Sequence, residues 1–353
     1  MKTFEKYTPL FLILSILVMS NLTWACRRAD PPKSKSSSMP LEDDQKKIIV
    51  KESEDSDIDP DETEEDTAHD DQDFDLICEG YVPPTMTQHL PQVIIIGAKK
   101  GGTRALIEFL KLHPQLKAAG PEIHYFNKNY DKGVDWYISR MPPAEKNNLV
   151  MEKTPGYFHH PQSAQRLYET TKDSKLLLIL RDPVKRLVSD YNQFRSKNLA
   201  EGKTYPMLEE LVFNKDGSVD ITYPPLQRSI YHHHISRWFK YFPKEQIHIV
   251  HGESFIKEPW SELRKVEQFL DVPTVITEDN FFFNQTKGFY CGKEMRTTGV
   301  WDCVKRKCLS KSKGRPKPPL AEGTLDKLYR FFAEHNKIFY ALVGHDYGWK
   351  PKE

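Results

Sequence analysis

Residues 93–104 read VIIIGAKKGGTR, and the fold of the chain follows from them. Four consecutive β-branched apolar residues, 93–96, make a strand buried on both faces, as the central strands of a parallel sheet are. Gly97, Gly101 and Gly102 let the backbone come close to a ligand, and Thr103 opens the helical spacing Ala105, Leu106, Phe109, Leu110. Backbone N–H groups at that helix start, with Lys99, Lys100 and Arg104 beside them, make an anion cradle for phosphate or sulfate. A glycine pair alone is a tight βα turn; two lysines and an arginine within six positions give it a ligand. The lysines precede the glycine pair, so the loop is neither a Walker A motif nor the dinucleotide fingerprint.

Further segments converge on the same sheet edge. Residues 149–151 form a short apolar strand that delivers Lys153, and residues 175–180 (KLLLIL) a buried one. The latter ends in Arg181-Asp182-Pro183; Arg181, with Ser189 about two turns into the next helix, can grip a second phosphate. The piece AAGPEIHYFN at 118–127 carries Glu122 and His124 on one face of an extended segment. As a loop returning over the carboxyl ends of the strands, it offers a candidate general base and its partner. Residues 246–250 and 260–270 read as a scaffold strand and helix, and 226–242 as one amphipathic helix. Residues 325–343 read as a final helix packing through Leu328, Phe331, Phe332, Phe339 and Leu342. His232, His233 and His234 face three directions on a helix, and no metal is expected. Lys311, Lys313 and Arg315 surround Gly314 in a basic segment that reads as a lid over an anionic ligand.

At 353 residues and 12% aromatic, the chain can bury a large α/β core. Its net charge of +1 conceals −11 over residues 1–88 and +12 over 89–353, as expected of a folded part that holds a polyanion. Residues 9–26 are apolar enough to cross a bilayer. With Lys2 and Lys6 ahead of them, they read as an uncleaved signal anchor with residues 1–8 cytosolic. Arg27 and Arg28 just beyond oppose that orientation and keep a cleaved signal peptide as the alternative. Residues 27–88, acidic and without hydrophobic periodicity, read as a disordered stem, which leaves 89–353 as the lumenal domain. Cysteine usage fits an oxidising lumen, with a short-loop disulfide from Cys291 to Cys303 or Cys308; Cys78 precedes the folded part and Cys26 lies at the membrane boundary. Asn284-Gln285-Thr286 is a glycosylation sequon.

The strings IIIGAKKGGTRALIEFL, EIHYF, MEKTPGYF, LLLILRDPVKRLVSDYNQF and KGFYC with CLSKSKGR occur in this order and span the folded part, roughly residues 88–350. Together they resemble the heparan sulfate glucosamine 3-O-sulfotransferases of the Golgi. The resemblance implies a P-loop-like three-layer α/β domain around a central parallel sheet, with 3′-phosphoadenosine 5′-phosphosulfate as donor. It implies donor contacts for Lys100, Gly101, Gly102, Thr103 and Arg104 at the 5′-phosphosulfate, for Arg181 and Ser189 at the 3′-phosphate, and for Lys313, Gly314 and Arg315 in a closing loop. Glu122 matches the family's base and His124 its neighbour; Lys99, Arg104, Lys153 and Gln193 match substrate-contacting positions, and Cys291 with Cys308 the family's disulfide. The partners implied are a heparan sulfate chain and, through the anchor, a membrane; nucleic acid is not among them. Two positions depart from the pattern. Asn127 stands where an aspartate is usual, and Lys99 replaces an arginine, which keeps the charge and loses bidentate recognition.

The reaction so implied is sulfuryl transfer to a glucosamine 3-hydroxyl, with Glu122 removing the hydroxyl proton and Lys100 and Lys153 neutralising developing charge. Three rivals share parts of this pattern. An N-sulfotransferase keeps the donor motifs and differs in the acceptor cleft, and a catalytically impaired heparin-binding homologue explains the charge but not the donor loops. A nucleotide kinase requires a Walker lysine that is missing.

Overall fold

The computed structural model of the protein describes residues 85–298, 301–309, 318 and 320–349. The expected anchor at 9–26, the stem as far as residue 84, Cys26, Cys78, and the segment with Lys311, Lys313, Gly314 and Arg315 lie outside the described residues.

In chain order the elements are β1 (Val93–Gly97), α1 (Thr103–Leu110), β2 (Leu116–Ala118), α2 (Val134–Ile138), β3 (Leu149–Lys153), α3 (Ser163–Thr171), β4 (Lys175–Leu180) and α4 (Pro183–Ala200). They continue with α5 (Leu208–Val212), α6 (Pro224–Gln227), α7 (Tyr231–Trp238), β5 (Ile247–His251), α8 (Gly252–Lys257) and α9 (Pro259–Leu270). The last are β6 (Phe281–Asn284), β7 (Phe289–Thr298), β8 (Trp301–Lys307) and α10 (Thr324–Val343).

Five strands pair in parallel in the order β2-β3-β1-β4-β5, with Ile95 opposite Lys153 on one side and Leu177 on the other. Because β1 is central, its side chains alternate between two cores. Val93 and Ile95 pack with Leu106, Leu110, Leu263 and Val266 of α1 and α9; Ile94 and Ile96 pack with Tyr125, Phe158, Trp238 and Trp349. This is a three-layer α/β/α arrangement, and the double burial explains the uninterrupted apolar strand sequences. The chain turns one way from β1 to β3 and the other way to β4, so a crevice opens at the carboxyl ends of these strands, where such sheets bind ligands.

One expectation is corrected, and a hairpin and an edge strand are added. The single helix over 226–242 is two, α6 and α7, because Ser229 is tied into α4: its Oγ accepts from Arg186 Nε (2.6 Å) and donates to the Pro183 carbonyl (3.0 Å). Ile230 between them leaves helical geometry at φ −84°, ψ 73°. The segment after Cys291 is not a plain loop; β7 and β8 form an antiparallel ladder from Gly292↔Lys307 to Thr298↔Trp301, in a second sheet of order β6-β7-β8. One step beyond the first of these pairs, Cys291 is disulfide-bonded to Cys308, with Cα atoms 4.7 Å apart. Of the two partners that spacing left open, the ladder register selects Cys308. Edge strand β2, three residues long, was too short to leave a pattern.

Candidate active site

The glycine loop closes against β4. Ala98 N donates to the Ile179 carbonyl (3.0 Å) and Gly101 N to the Ala98 carbonyl (2.8 Å), so the backbone lies directly on the sheet edge. A Cβ on Gly101 would come within 2.3 Å of the Ile179 carbonyl oxygen, and Gly102 sits at φ +119°, a region closed to most side chains. Lys100 also adopts φ +68°. No side chain caps α1, so the N–H groups of its first turn face the loop.

Side chains of α4 reach this loop from below. Arg186, fully buried, donates to Asp190 (2.9 Å), to Ser229, to the Pro225 carbonyl, and to the Lys99 carbonyl in the loop itself (3.3 Å). One helical turn beyond Ser189, Gln193 accepts from Lys100 Nζ through its Oε1, and the Lys99 ammonium lies 5.4 Å from the centroid of the Phe194 ring. Pro183 at the first turn and Asp182 as N-cap, accepting from Val184 N (2.9 Å) and Lys185 N (3.1 Å), start the helix at the strand tip. Arg181, at that tip, has a buried Nε without a hydrogen-bond partner among the described residues. Ser189 is half-buried on the same helix. Arg104 turns along α1, its Nε 3.3 Å from Glu108 Oε1.

Glu122 and His124 stand on the loop after β2, as expected, although His124 has φ +52° and ends the extended piece. Glu122 Oε1 accepts from Lys153 Nζ, and its Oε2 lies 3.4 Å from His124 Nε2. Burial opposes ionisation of Glu122, yet the hydrogen bond from His124 and the charge of Lys153 outweigh it and hold the carboxyl below its usual range. Lys153 is nearly buried, its side chain 4% exposed, because it leaves β3 beside the loop instead of entering solvent. His124 Nδ1 is 3.2 Å from Asn127 Nδ2 and 3.3 Å from its Oδ1. The amide can therefore donate to a neutral ring or accept from a protonated one, while Nε2 faces Glu122. Either way Asn127 orients the imidazole.

The structure therefore gathers Lys99, Lys100, Gly101, Gly102, Thr103 and Gln193 at one place, with Glu122, His124 and Lys153 forming a triad at the same strand ends. Sequence reasoning missed the Arg186–Asp190 pair, which props the loop, and the buried Glu152, which lies under the triad. Arg186 and Asp190, four apart on one helix, and Glu152, ending the apolar run 149–151, were the available signal. Of the three histidines, His232 reaches His335 (2.9 Å) with the exposed His233 ring edge-on beside it, centroids 4.2 Å apart, while His234 turns away to the Gln227 carbonyl (3.0 Å). Asn284, half-buried at the β6–β7 turn, directs its Nδ2 to Cys308 Sγ (3.5 Å).

The family model of the sulfotransferase domain matches residues 90–339, and the chain belongs to that family. Its relatives there include the Mus musculus "Heparan sulfate glucosamine 3-O-sulfotransferase 3B1", 42% identical over 265 residues, 74% of this chain and 66% of that one. The Mus musculus "Heparan sulfate glucosamine 3-O-sulfotransferase 5" is 41% identical over 267 residues, 75% of each chain. The chain thus spans just under two thirds of the length of the first relative and three quarters of the second. Among solved structures, a sulfotransferase from Alicyclobacillus acidocaldarius shares the fold, with a TM-score of 0.53 at 20% identity over 74% of this chain and 99% of that one.

Proposed function

We propose that the protein transfers a sulfuryl group from 3′-phosphoadenosine 5′-phosphosulfate to the 3-hydroxyl of glucosamine residues in heparan sulfate. The observation that carries this is the Glu122 carboxylate, held ionised by His124 and Lys153 at the strand ends that also hold the glycine cradle. The donor fits what is there: a loop whose Gly101 has no room for a Cβ, uncapped α1 N–H groups, and a buried Arg181 Nε awaiting an acceptor. Lys100, Gly101, Gly102, Thr103 and Arg104 would hold the 5′-phosphosulfate and Arg181 and Ser189 the 3′-phosphate, with Lys313, Gly314 and Arg315 closing over them.

In the reaction the acceptor hydroxyl gives its proton to Glu122 while its oxygen bonds to sulfur, and the bond from sulfur to the bridging phosphate oxygen breaks. The leaving charge stays on the nucleotide phosphate. Lys153, already against Glu122, and Lys100, held by Gln193, are the cations for the sulfuryl and bridging oxygens. Lys99 and Gln193 face the acceptor. The similarity to enzymes named for glucosamine 3-O-sulfation supports the choice of acceptor atom.

Residues 1–8 would be cytosolic, 9–26 a single-pass type II anchor in the Golgi membrane, 27–88 the stem and 89–353 the lumenal catalytic domain. The apolar run and the Cys291–Cys308 disulfide, which an oxidising lumen permits, support this reading. A glycan on Asn284 would require its amide to leave Cys308.

The test is transfer of radiolabelled sulfate from the donor to N-sulfated heparan sulfate, followed by disaccharide analysis, for wild type and Glu122→Gln. Label on the 3-hydroxyl is expected, with turnover falling by about two to four orders of magnitude in the variant. Label on the glucosamine nitrogen instead would overturn the acceptor and leave the donor standing.

A further inference from the structure

A second carboxylate lies beneath the triad and does not open to the crevice. Glu152 on β3 is fully buried in the middle of the parallel sheet. Its Oε1 accepts from the Tyr137 hydroxyl (3.0 Å), its Oε2 from Thr154 Oγ1 (3.1 Å), and the Tyr157 hydroxyl faces it as well. Two of these hydroxyls hold consecutive backbone amides of the catalytic loop. Thr154 Oγ1 accepts from His124 N (3.3 Å), and the Tyr157 hydroxyl accepts from Tyr125 N (2.8 Å). The third, Tyr137, stacks its ring on Tyr125 with centroids 4.3 Å apart and planes within 6°. A hydroxyl has one proton and two lone pairs, so a proton committed to Glu152 leaves the lone pairs turned toward the amides. These amides flank His124, whose left-handed φ of +52° needs such enforcement in a residue other than glycine.

We propose that Glu152 is the positioning residue of this active site: by accepting from Thr154 and Tyr157 it orients the two hydroxyls that pin His124 N and Tyr125 N, and so holds Glu122 and His124 against Lys153. This rests on Glu122 being the base. The groups that face Glu152 are Tyr137 from α2, Thr154 and Tyr157 from the turn after β3, and His124 from the catalytic loop. Burial pushes its carboxyl up to about 7, against the three hydroxyl donors and His124. Protonated, Glu152 becomes a donor itself and turns one hydroxyl away, so the loop is held best by the carboxylate. Glu122, below the usual carboxylate range, gives no titration there.

The experiment is a cycle of wild type, Glu152→Gln, Glu122→Gln and the double variant, each checked by thermal melting and by calorimetric titration with 3′-phosphoadenosine 5′-phosphate. The isosteric Gln keeps the shape and replaces one acceptor with a donor. Glu152→Gln is expected to bind the nucleotide as wild type does and to lose about ten- to a hundredfold in kcat. In the Glu122→Gln background it should lose almost nothing, because the base it positions is gone. The wild-type kcat should rise with pH through about 7, and that limb should flatten in Glu152→Gln. Where Glu152→Gln does not fold, Thr154→Val cuts the same relay at its other end and takes its place in the cycle. Equal losses in both backgrounds, weakened nucleotide binding in proportion to the lost turnover, or wild-type turnover in Glu152→Gln each overturn the positioning role. Undiminished turnover in Glu122→Gln alone overturns the base, and shows itself without reference to Glu152.

Discussion

The loop at 97–102 and the loop at 122–127 meet at one sheet edge, yet they are held in place by different means. In the first, shape comes from the backbone: Gly101 against the Ile179 carbonyl, Gly102 at φ +119°, and amides of residues 98 and 101 closing the turn. In the second, shape comes from side chains of other elements: Thr154 and Tyr157 hold its amides, Arg166 Nη1 donates to the Phe126 carbonyl (3.0 Å), and Asn129 Nδ2 to the Ile123 carbonyl (2.9 Å). A loop that binds a constant group can be written locally in glycine. A loop that must aim one carboxylate needs a scaffold assembled from distant positions.

Removing the buried tertiary prop of the first loop should have the largest effect. Arg186→Met leaves Asp190 buried beside the Arg228 guanidinium, 3.6 Å away, and removes the hydrogen bond from Arg186 to the Lys99 carbonyl. Breaking a buried pair of this kind costs about 3–5 kcal/mol, read as a fall in the melting temperature of about 10 °C together with weaker nucleotide binding. An unchanged melting temperature would show that the loop stands on its backbone alone. Gly101→Ala attacks that backbone. Its Cβ meets a carbonyl that cannot yield, so a loss of about 1–3 kcal/mol is expected, appearing mainly in calorimetric affinity for the nucleotide and less in kcat at saturation.

The smallest effect sharpens the other side of the comparison. With Glu152 raised from an unfolded value of 4.5 to about 7, the folded protein binds more protons than the unfolded chain between those values. Stability from this group is therefore full below about 4.5 and is lost as pH rises through about 7. Denaturant melts at pH 5, 6 and 7 should show wild type weakening with a slope of at most about 1.4 kcal/mol per pH unit that Glu152→Gln lacks. Parallel curves for the two proteins would mean that burial does not raise the Glu152 carboxyl and that it is ionised in the folded state throughout this range.

Legibility followed burial. Strands β1, β3 and β4 were readable because both faces are covered, which leaves runs such as KLLLIL without polar interruption. Helices α9 and α10 were readable from one apolar stripe, with Leu328, Phe332 and Phe339 buried as the spacing required. Ile230, Ile235 and Trp238 are buried as an amphipathic helix requires, but no periodicity records that Ser229 is recruited by Arg186 more than forty positions earlier, and that contact divides the helix. The β7–β8 ladder escaped for a similar reason. Its strands carry charge on a hairpin outside the central sheet, where pairing, and not an apolar pattern, makes the strand.

By itself, the sequence determined the parallel sheet, the anion cradle and the types of residue at its edge, because glycine geometry and double-sided burial are local properties that a short string can state. The tertiary structure alone decided that Glu122 accepts from Lys153 and that a buried Glu152 stands behind the loop at 122–127, and its ladder register bears out the Cys291–Cys308 pairing that the resemblance implied. Each of these joins side chains from separate elements, and their distances exist only once β1, β3 and β4 have paired and brought their carboxyl ends together.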